Sequence, residues 1–187
     1  MRIQHLSSIV VAAAQGWRDE LPARYTAAAE AGIPVSDLFE ATLQVFLFAG
    51  YPRTIGAFEA LHEAFPGAEG PPTEPDRDDF AARGRETFEK VYAEHTETVL
   101  AKLDGLHPDF ARYVIHDAYG QVLARPFLPL KERELLAVAM LAALDLPPQL
   151  RSHMKGARAA GATEAELEIA LEQGRDGVVV RRSSKTD

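Results

Sequence analysis

One histidine and one glutamate carry the clearest chemical signal in this sequence. His153 shares one face of the stretch from Leu146 to Glu166 with leucine, methionine and alanine, at the spacing of a buried helical stripe. Glu134 lies near the start of the apolar stretch that precedes it. If the two stretches form an antiparallel hairpin, these side chains differ in height by about 6 Å at the helical rise per residue. A carboxylate facing an imidazole can orient the ring and support proton transfer near neutral pH.

Both residues also have ordinary structural explanations. A histidine on an apolar helix face is often satisfied by a backbone carbonyl. An acid near the first turn of a helix is favoured by the helix dipole. Because both explanations can hold at once, the pattern alone leaves a proton relay and a structural pair as open alternatives.

Local signals around these residues predict the helices that position them. Asp145 is expected to cap the second helix, and Pro147 suits its first turn because the missing N–H costs nothing there. Gly161 is the expected left-handed stop. Thr163 and Glu166 then form a T-x-x-E capping box, which predicts the start of a third helix.

The same order of elements occurs twice in the chain. Shifted by 129 positions, residues 5–44 align without gaps with residues 134–173. Each copy has an apolar helix, a second helix that ends at glycine, and a third helix, so we predict a duplicated three-helix unit. The first copy has His5 and Arg24 where the second has the glutamate and the histidine, and we therefore expect one site per chain.

Few segments have the pattern of strands, and we predict a single all-α domain, a helical bundle, over residues 1–187. A long amphipathic helix is expected from Phe80 to Leu103, and the last helix is expected to end at Gly174. The predicted parts are repeat 1 at about 5–65, a linker at 66–79, repeat 2 with its preceding helices at about 80–174, and a flexible tail at 175–187.

Composition excludes several classes of function. The chain has 20 basic and 28 acidic residues, a net charge of −8, which argues against nucleic acid as a partner. No apolar run reaches the roughly 20 residues that span a bilayer, and the apolar stretch after Arg2 recurs in the second copy, so we interpret it as a helix rather than a signal peptide. The absence of cysteine suits a reducing compartment. We predict a cytoplasmic protein without a membrane partner.

Two predicted helices are apolar nearly all round, over residues 135–144 and 43–49. A helix without a polar face is buried on every side, which is hard to arrange in a small chain. We therefore expect a homo-oligomer (dimer, trimer or hexamer), with a central core helix as the alternative.

The six histidines do not predict a metal site. His62 and His116 each lie near acidic residues, but neither has a second ligand at i+4 together with a third elsewhere. We expect neither a metal nor another cofactor.

Around the histidine the sequence resembles the carboxymuconolactone decarboxylase family, which includes the alkyl hydroperoxidase D-like proteins. The matching words are "YGQVLARPFLPLKERELLAVAMLAAL" and "LRSHMKGARAAGATEAELEIALEQ". In the first copy, "FLFAGYPRTIGAFEAL" resembles the family's tyrosine-x-glycine-x-proline segment. The resemblance implies an all-α bundle that assembles into trimers or hexamers.

In the peroxidase branch of that family, a glutamate, a C-x-x-C pair and a histidine form a proton relay. The resemblance implies that Glu134 and His153 are its two ends. The cysteine positions fall on Leu146 and Gln149. Because neither a sulfenic acid nor a disulfide can form, thiol-dependent peroxidase chemistry is excluded.

The decarboxylase branch acts on a carboxylated unsaturated lactone and needs no cysteine. Loss of carbon dioxide leaves a carbanion equivalent, for which the resemblance implies His153 as the acid and an arginine as the partner of the substrate carboxylate. The chain departs from the family in its greater length and in Pro129, where an aspartate cap is more common. The candidate substrate-binding residues are Arg133, Arg125, Arg53 and Tyr51.

Three functional hypotheses follow. The chain is a decarboxylase-like enzyme with a His153–Glu134 relay for a carboxylated lactone or related oxo acid, a non-catalytic oligomeric relative, or a ligand-binding subunit. The enzyme hypothesis requires a pocket beside His153. The non-catalytic hypothesis predicts that packed hydrocarbon fills this space.

Overall fold

The computed structural model describes residues 1–72 and 79–183, with side chains through Gly177. These residues form α-helices, short 3₁₀ turns and one π-helix, and they contain no strand. The N-terminal helices are α1 (Arg2–Gln15), α2 (Leu21–Glu30), α3 (Val35–Gln44) and α4 (Phe46–Ala64). They are followed by α5 (Phe80–Tyr92), α6 (Thr96–Leu106), α7 (Phe110–Tyr113), the π-helix (Val114–Leu123), α8 (Leu130–Ala143), α9 (Pro147–Ala159) and α10 (Glu164–Ser183). The all-α prediction is confirmed.

Helix α8 is the centre of the larger hydrophobic core. It packs against α1, α9 and α10, and every residue from Arg133 to Leu141 is buried. Apart from Arg133 and Glu134 this stretch is apolar, as a helix enclosed on all sides requires. The enclosure is complete within one chain, so the composition of α8 does not call for a second copy. Self-association stays a prediction.

Helix α1 extends the same core. Leu6, Ile9 and Val10 are fully buried, and α1 packs against α8 and α10. Helix α3 starts at Val35 and α10 starts at Glu164, which are 164 − 35 = 129 residues apart and so reproduce the offset of the sequence repeat. The duplication itself stays a prediction.

The predicted end of the last helix at Gly174 is wrong, because α10 continues to Ser183. Gly174 and Gly177 serve close packing rather than termination. A Cβ on Gly174 would lie 2.5 Å from Cβ of Ala142, and one on Gly177 would lie 2.9 Å from a methyl carbon of Val11. Only glycine allows α10 to approach so closely. The helix continues through the predicted tail as far as residue 183. Residues 184–187 lie outside the described part of the chain.

The predicted helix from Phe80 to Leu103 is broken in two. Ala93 has φ 46° and ψ −121°, which turns the chain between α5 and α6. Helices α5, α6 and α7 and the π-helix form a second, smaller core around Phe88, Leu100 and Tyr119. Helix α5 crosses the π-helix closely, since a Cβ on Gly84 would lie 1.9 Å from the carbonyl oxygen of Ile115.

Of the two predicted boundaries of α9, only the one at its C-terminal end is confirmed. Gly161 has φ 90° and ends α9, as predicted. Asp145 does not cap α9. Its backbone is left-handed (φ 56°), and its N–H donates to the carbonyl of Ala142, so it terminates α8 instead. The N-cap position of α9 is Leu146, whose own N–H donates to the carbonyl of Leu141.

The predicted linker at 66–79 is described only in part. Residues 66–72 are not helical, and residues 73–78 lie outside the described residues. None of the helices in the described ranges is long and apolar enough to cross a membrane. Nor does the described part of the chain contain a cluster of three or more metal-ligating side chains.

The capping box at the start of α10 is present and gives a pH-dependent prediction. The N–H of Thr163 donates to Oε2 of Glu166 at 2.8 Å, and the N–H of Glu166 donates to Oγ1 of Thr163 at 3.2 Å. With Lys131 donating to its other oxygen, the pKa of Glu166 falls from 4.5 to about 2. A depressed carboxyl pKa stabilises the fold fully above pH 4.5, and this contribution is lost as the pH falls towards 2.

We expect Thr163→Ala to lower the free energy of unfolding by about 1 kcal/mol, measured by urea denaturation at neutral pH. Glu166→Gln should also destabilise the protein, and its difference from wild type should shrink as the pH falls below 4.5. Glu172→Gln, on an exposed part of the same helix, is the control. A constant wild-type to Glu166→Gln difference across this range would contradict the assignment.

Candidate active site

The α8–α9 hairpin brings Glu134 and His153 together. Nδ1 of His153 lies 2.9 Å from Oε2 of Glu134. The short connection between the helices fixes their antiparallel arrangement. The histidine thus contacts a carboxylate, and its Nε2 remains available to another group.

The pair is shielded from water on the glutamate side and open on the histidine side. The Glu134 side chain is 0% exposed and that of His153 is 12% exposed. Oε1 of Glu134 has no hydrogen-bond partner among the described residues, which is rare for a buried carboxylate oxygen. An edge-on contact with Phe48, at 5.5 Å between ring centroids, further fixes the imidazole.

A glycine makes room for the buried carboxylate. Gly156 lies one turn after His153 on α9, and a Cβ at this position would come within 2.5 Å of Oε2 of Glu134. It would also lie 2.7 Å from a methyl carbon of Val91. Gly156 therefore allows the carboxylate to reach the imidazole past the α5–α9 contact.

His153 lines a cleft of about 280 Å³ between α9 and the smaller core. One wall is largely apolar and comes from Val99, Leu103, Leu106 and Phe110. The other wall belongs to α9 and includes Gln149, Ser152 and His153. Lys102 and Tyr92 complete the lining. Its volume is near the lower end of the range for small-molecule sites, so the cleft suits a small ligand.

A second hollow of about 260 Å³ adjoins this cleft. The two share Tyr92, Val99 and Ser152, and the second adds Lys155. Lys102 and Lys155 take part in no ion pair within residues 1–72 and 79–177. Both ammonium groups are thus free to attract an anion.

Two tyrosines that the sequence analysis missed lie next to the pair. Burial raises the pKa of Tyr92 and, to a greater degree, that of Tyr119, and the negative charge of Glu134 acts in the same direction. Both phenols therefore stay protonated at neutral pH. The i, i+4 spacing of Phe88 and Tyr92 on α5 was the available signal, since such pairs share a helix face.

The predicted substrate arginines Arg133 and Arg125 do not line the cleft. Both donate to the buried carboxylate of Glu40, from Nη2 of Arg133 at 2.7 Å and from Nη2 of Arg125 at 2.7 Å. Gln44 donates to the backbone carbonyl of Arg133 at 2.7 Å, and this contact fixes α3 against α8. The two arginines join helices and are not available to a ligand in the cleft.

The other two predicted substrate-binding residues also lie outside the cleft lining. Arg53 borders a separate hollow of about 170 Å³ together with Gly16 and Arg18. Tyr51 is 70% exposed and stacks on Phe46 at 5.4 Å. The first repeat therefore contributes no cation to the cleft beside His153, and Lys102 takes that position.

The Glu40 cluster gives a stability prediction. Glu40→Gln removes the negative charge that pairs with two guanidinium groups, of which that of Arg133 is fully buried. Loss of one partner from a buried ion pair costs about 3–5 kcal/mol, so we expect a fall of this size in the free energy of unfolding. Glu63→Gln, which removes the exposed partner of Arg18, should have little effect. Equal effects of the two substitutions in denaturant titrations would contradict the interpretation.

Gly156→Ala tests the geometry of the pair. The added methyl group meets side-chain ends, so we expect the fold to persist with a loss of about 1–3 kcal/mol while the Glu134 carboxylate is displaced. The His153 ring resonances, measured by NMR at neutral pH, should then shift relative to wild type because the carboxylate no longer lies against the ring. Gly105→Ala in α6, where a Cβ meets nothing within 4 Å, is the control. Unchanged His153 ring resonances in Gly156→Ala would refute the predicted displacement.

Comparison with known proteins places this hairpin in a family. The Carboxymuconolactone decarboxylase family matches residues 108–177, which include the π-helix, α8 and α9. Peroxisomal protein 2 of Schizosaccharomyces pombe is 35% identical over 149 residues, covering 72% of this chain and 67% of its own length. The 4-carboxymuconolactone decarboxylase of Acinetobacter baylyi is 34% identical over 86 residues, covering 46% and 64%. Peroxisomal protein 2 of Saccharomyces cerevisiae is 25% identical over 158 residues, covering 69% and 56%.

These matches agree with the all-α architecture and with the hairpin that carries the histidine. The chain spans less than two thirds of the length of the last two relatives. The chain belongs to the carboxymuconolactone decarboxylase family.

Proposed function

We propose that the protein is a decarboxylase-like enzyme that acts on a carboxylated lactone or a related oxo acid. The observation that carries the proposal is the contact between His153 Nδ1 and Glu134, which leaves Nε2 as the ring nitrogen available to the cleft. Protonated at Nε2, His153 is the acid that delivers a proton to the substrate carbon after carbon dioxide leaves. Glu134 orients the ring and stabilises its positive charge. The name of the Acinetobacter baylyi relative supports this substrate class.

The cleft provides the other requirements of such a reaction. Its apolar wall, which includes Leu103 and Phe110, accommodates the carbon skeleton, and Lys102 attracts a carboxylate to the site. Lys102 thus replaces Arg133, Arg125 and Arg53 as the proposed cation of the site. Because the side chains supply both the proton and the charge, the proposed step uses no metal or other cofactor.

The test is carbon dioxide release from a panel of carboxylated lactones and 3-oxo acids. Removing a general acid costs on the order of 10²- to 10⁴-fold in rate, and we expect such a loss in His153→Gln with a smaller one in Glu134→Gln. His116→Gln is the matched control, since His116 also contacts a carboxylate, that of Asp117 at 2.6 Å, but lies outside the cleft.

Three other results would decide against this proposal. Turnover that survives His153→Gln would remove the proposed acid. Binding of the panel compounds without turnover, detected as a rise in melting temperature, would instead favour the ligand-binding alternative. Loss of stability in His153→Gln with neither binding nor turnover would favour the non-catalytic one.

Self-association is a separate proposal. The apolar side chains of Tyr51 and Ile55 on α4 are 70% and 58% exposed, and they are candidates for a contact between copies. Light scattering during size-exclusion chromatography measures the subunit number directly, and a monomer would end the proposal.

The cytoplasm is likewise the proposed compartment, on the basis of a chain without cysteine. Two relatives have names that refer to peroxisomes. Microscopy of a fluorescently labelled full chain distinguishes the two compartments.

A further inference from the structure

We propose that Tyr92 is a catalytic hydrogen-bond donor, whose hydroxyl stabilises the oxygen on which negative charge develops as the substrate loses carbon dioxide. This inference rests on the proposed function and narrows its substrate class. The acid must carry a carbonyl group conjugated with the carbon that loses the carboxylate, as in a 3-oxo acid or an unsaturated lactone. Such a carbonyl oxygen is where a hydrogen-bond donor has most effect on the rate.

The position of Tyr92 in the cleft is the first support. Tyr92 and His153 line the same cleft from different helices, α5 and α9. Tyr92 also borders the adjoining hollow, so its side chain lies where the two spaces meet. A ligand in contact with the imidazole is therefore within the space that the phenol also borders.

Aromatic packing fixes the phenol ring. The centroids of Tyr92 and Phe88 lie 4.3 Å apart, and Tyr119 packs edge-on against Phe88 at 4.8 Å. A donor held by such contacts needs little reorganisation when charge develops in front of it. This preorganisation distinguishes Tyr92 from Lys102, which is exposed and carries its charge on a flexible four-carbon stem.

Hydrogen bonding leaves the proton of Tyr92 for the cleft. The hydroxyl of Tyr119 donates to that of Tyr92 over 3.4 Å, so Tyr92 accepts in this contact and keeps its own proton for another acceptor. The charge of Glu134 opposes ionisation of both tyrosines, which keeps Tyr92 a donor. Tyr119 is a positioning residue, because it is buried and acts through Tyr92.

A strained turn places Tyr92 at the cleft. Tyr92 is the last residue of α5, and the next residue, Ala93, has φ 46° and ψ −121°, a conformation that residues with a Cβ rarely adopt. The turn leads directly into α6, which supplies Val99 and Lys102 to the opposite wall. Tyr92, Val99 and Lys102 all precede residue 108, where the family match begins.

The proposed step balances without a redox partner. The bond between the carboxylate carbon and its neighbour breaks, carbon dioxide leaves, and the electron pair moves into the adjacent carbonyl group. The resulting enolate oxygen accepts the hydrogen bond from Tyr92. His153 then gives the proton on Nε2 to the carbanion carbon, and water reprotonates the ring, so one proton is consumed for each carbon dioxide released.

Tyr92→Phe tests the inference in steady-state kinetics. Loss of one such donor lowers kcat by about 10²- to 10³-fold, and we expect this loss with little change in KM because the contact strengthens only as charge develops. Tyr119→Phe should show a smaller fall in kcat, and Tyr113→Phe, an exposed tyrosine outside the cleft, should show none. A kcat equal to wild type in Tyr92→Phe would overturn the inference and leave the proposed function intact.

Binding of acetylacetonate, a stable enolate, separates failure of the inference from failure of the proposed function. We expect calorimetry to show binding to wild type and at least about tenfold weaker binding to Tyr92→Phe, corresponding to one lost hydrogen bond to a charged group. Tyr92-dependent binding without turnover of any acid would support the donor role and end the proposed decarboxylase. Binding that is equal in wild type and Tyr92→Phe would overturn the donor role.

Discussion

The contact between a buried carboxylate and an imidazole at the edge of a cleft is the interaction on which this site depends. Glu134 is fully enclosed by α8, α9 and α5, and only one of its oxygens has a hydrogen-bond partner. Burial of a carboxylate with incomplete hydrogen bonding costs free energy, which the fold must offset elsewhere. The arrangement gives His153 a fixed orientation and a nearby negative charge while its other nitrogen remains available to a ligand.

The second buried carboxylate, that of Glu40, differs from Glu134 because both of its oxygens have hydrogen-bond partners. Two guanidinium groups saturate it, and Gln44 adds a hydrogen bond to the backbone of α8 beside it. A cluster with so many internal partners has little capacity to bind a ligand, and it holds α3 to α8. The contrast between Glu40 and Glu134 distinguishes a structural ion cluster from a site that retains an unmet hydrogen-bonding demand.

The cleft arises because two cores of different size meet. The larger core contains α8 and α9 and supplies Glu134 and His153, whereas the smaller core, with α5 and α6, supplies the apolar wall, Lys102 and Tyr92. The family match covers residues 108–177 and leaves out α5 and α6. In the proposed reaction, the α8–α9 hairpin carries out the proton transfer, and the wall that α6 contributes determines which acid fits.

The sequence by itself determined the helical class, the stop at Gly161, the capping box at Thr163 and the inward-facing, partly buried stripe that contains His153. These features depend on residues within a few positions of one another, so helix periodicity and capping chemistry suffice to predict them. The contact of Glu134 with His153 could be predicted for the same reason, because the short connection between α8 and α9 constrains the positions of both residues.

Only the tertiary structure decided the features that depend on residues far apart in sequence. Arg133 and Arg125 are engaged by Glu40, which is 93 and 85 positions away. Gly174 lies within α10, where it packs closely against α8. From the sequence alone, a glycine at this position could equally well end the helix. Tyr92 reaches the cleft because the helix breaks at Ala93, and no residue pattern near Ala93 predicts this break. Packing between distant segments sets each of these outcomes, and such packing leaves no periodic mark in the chain.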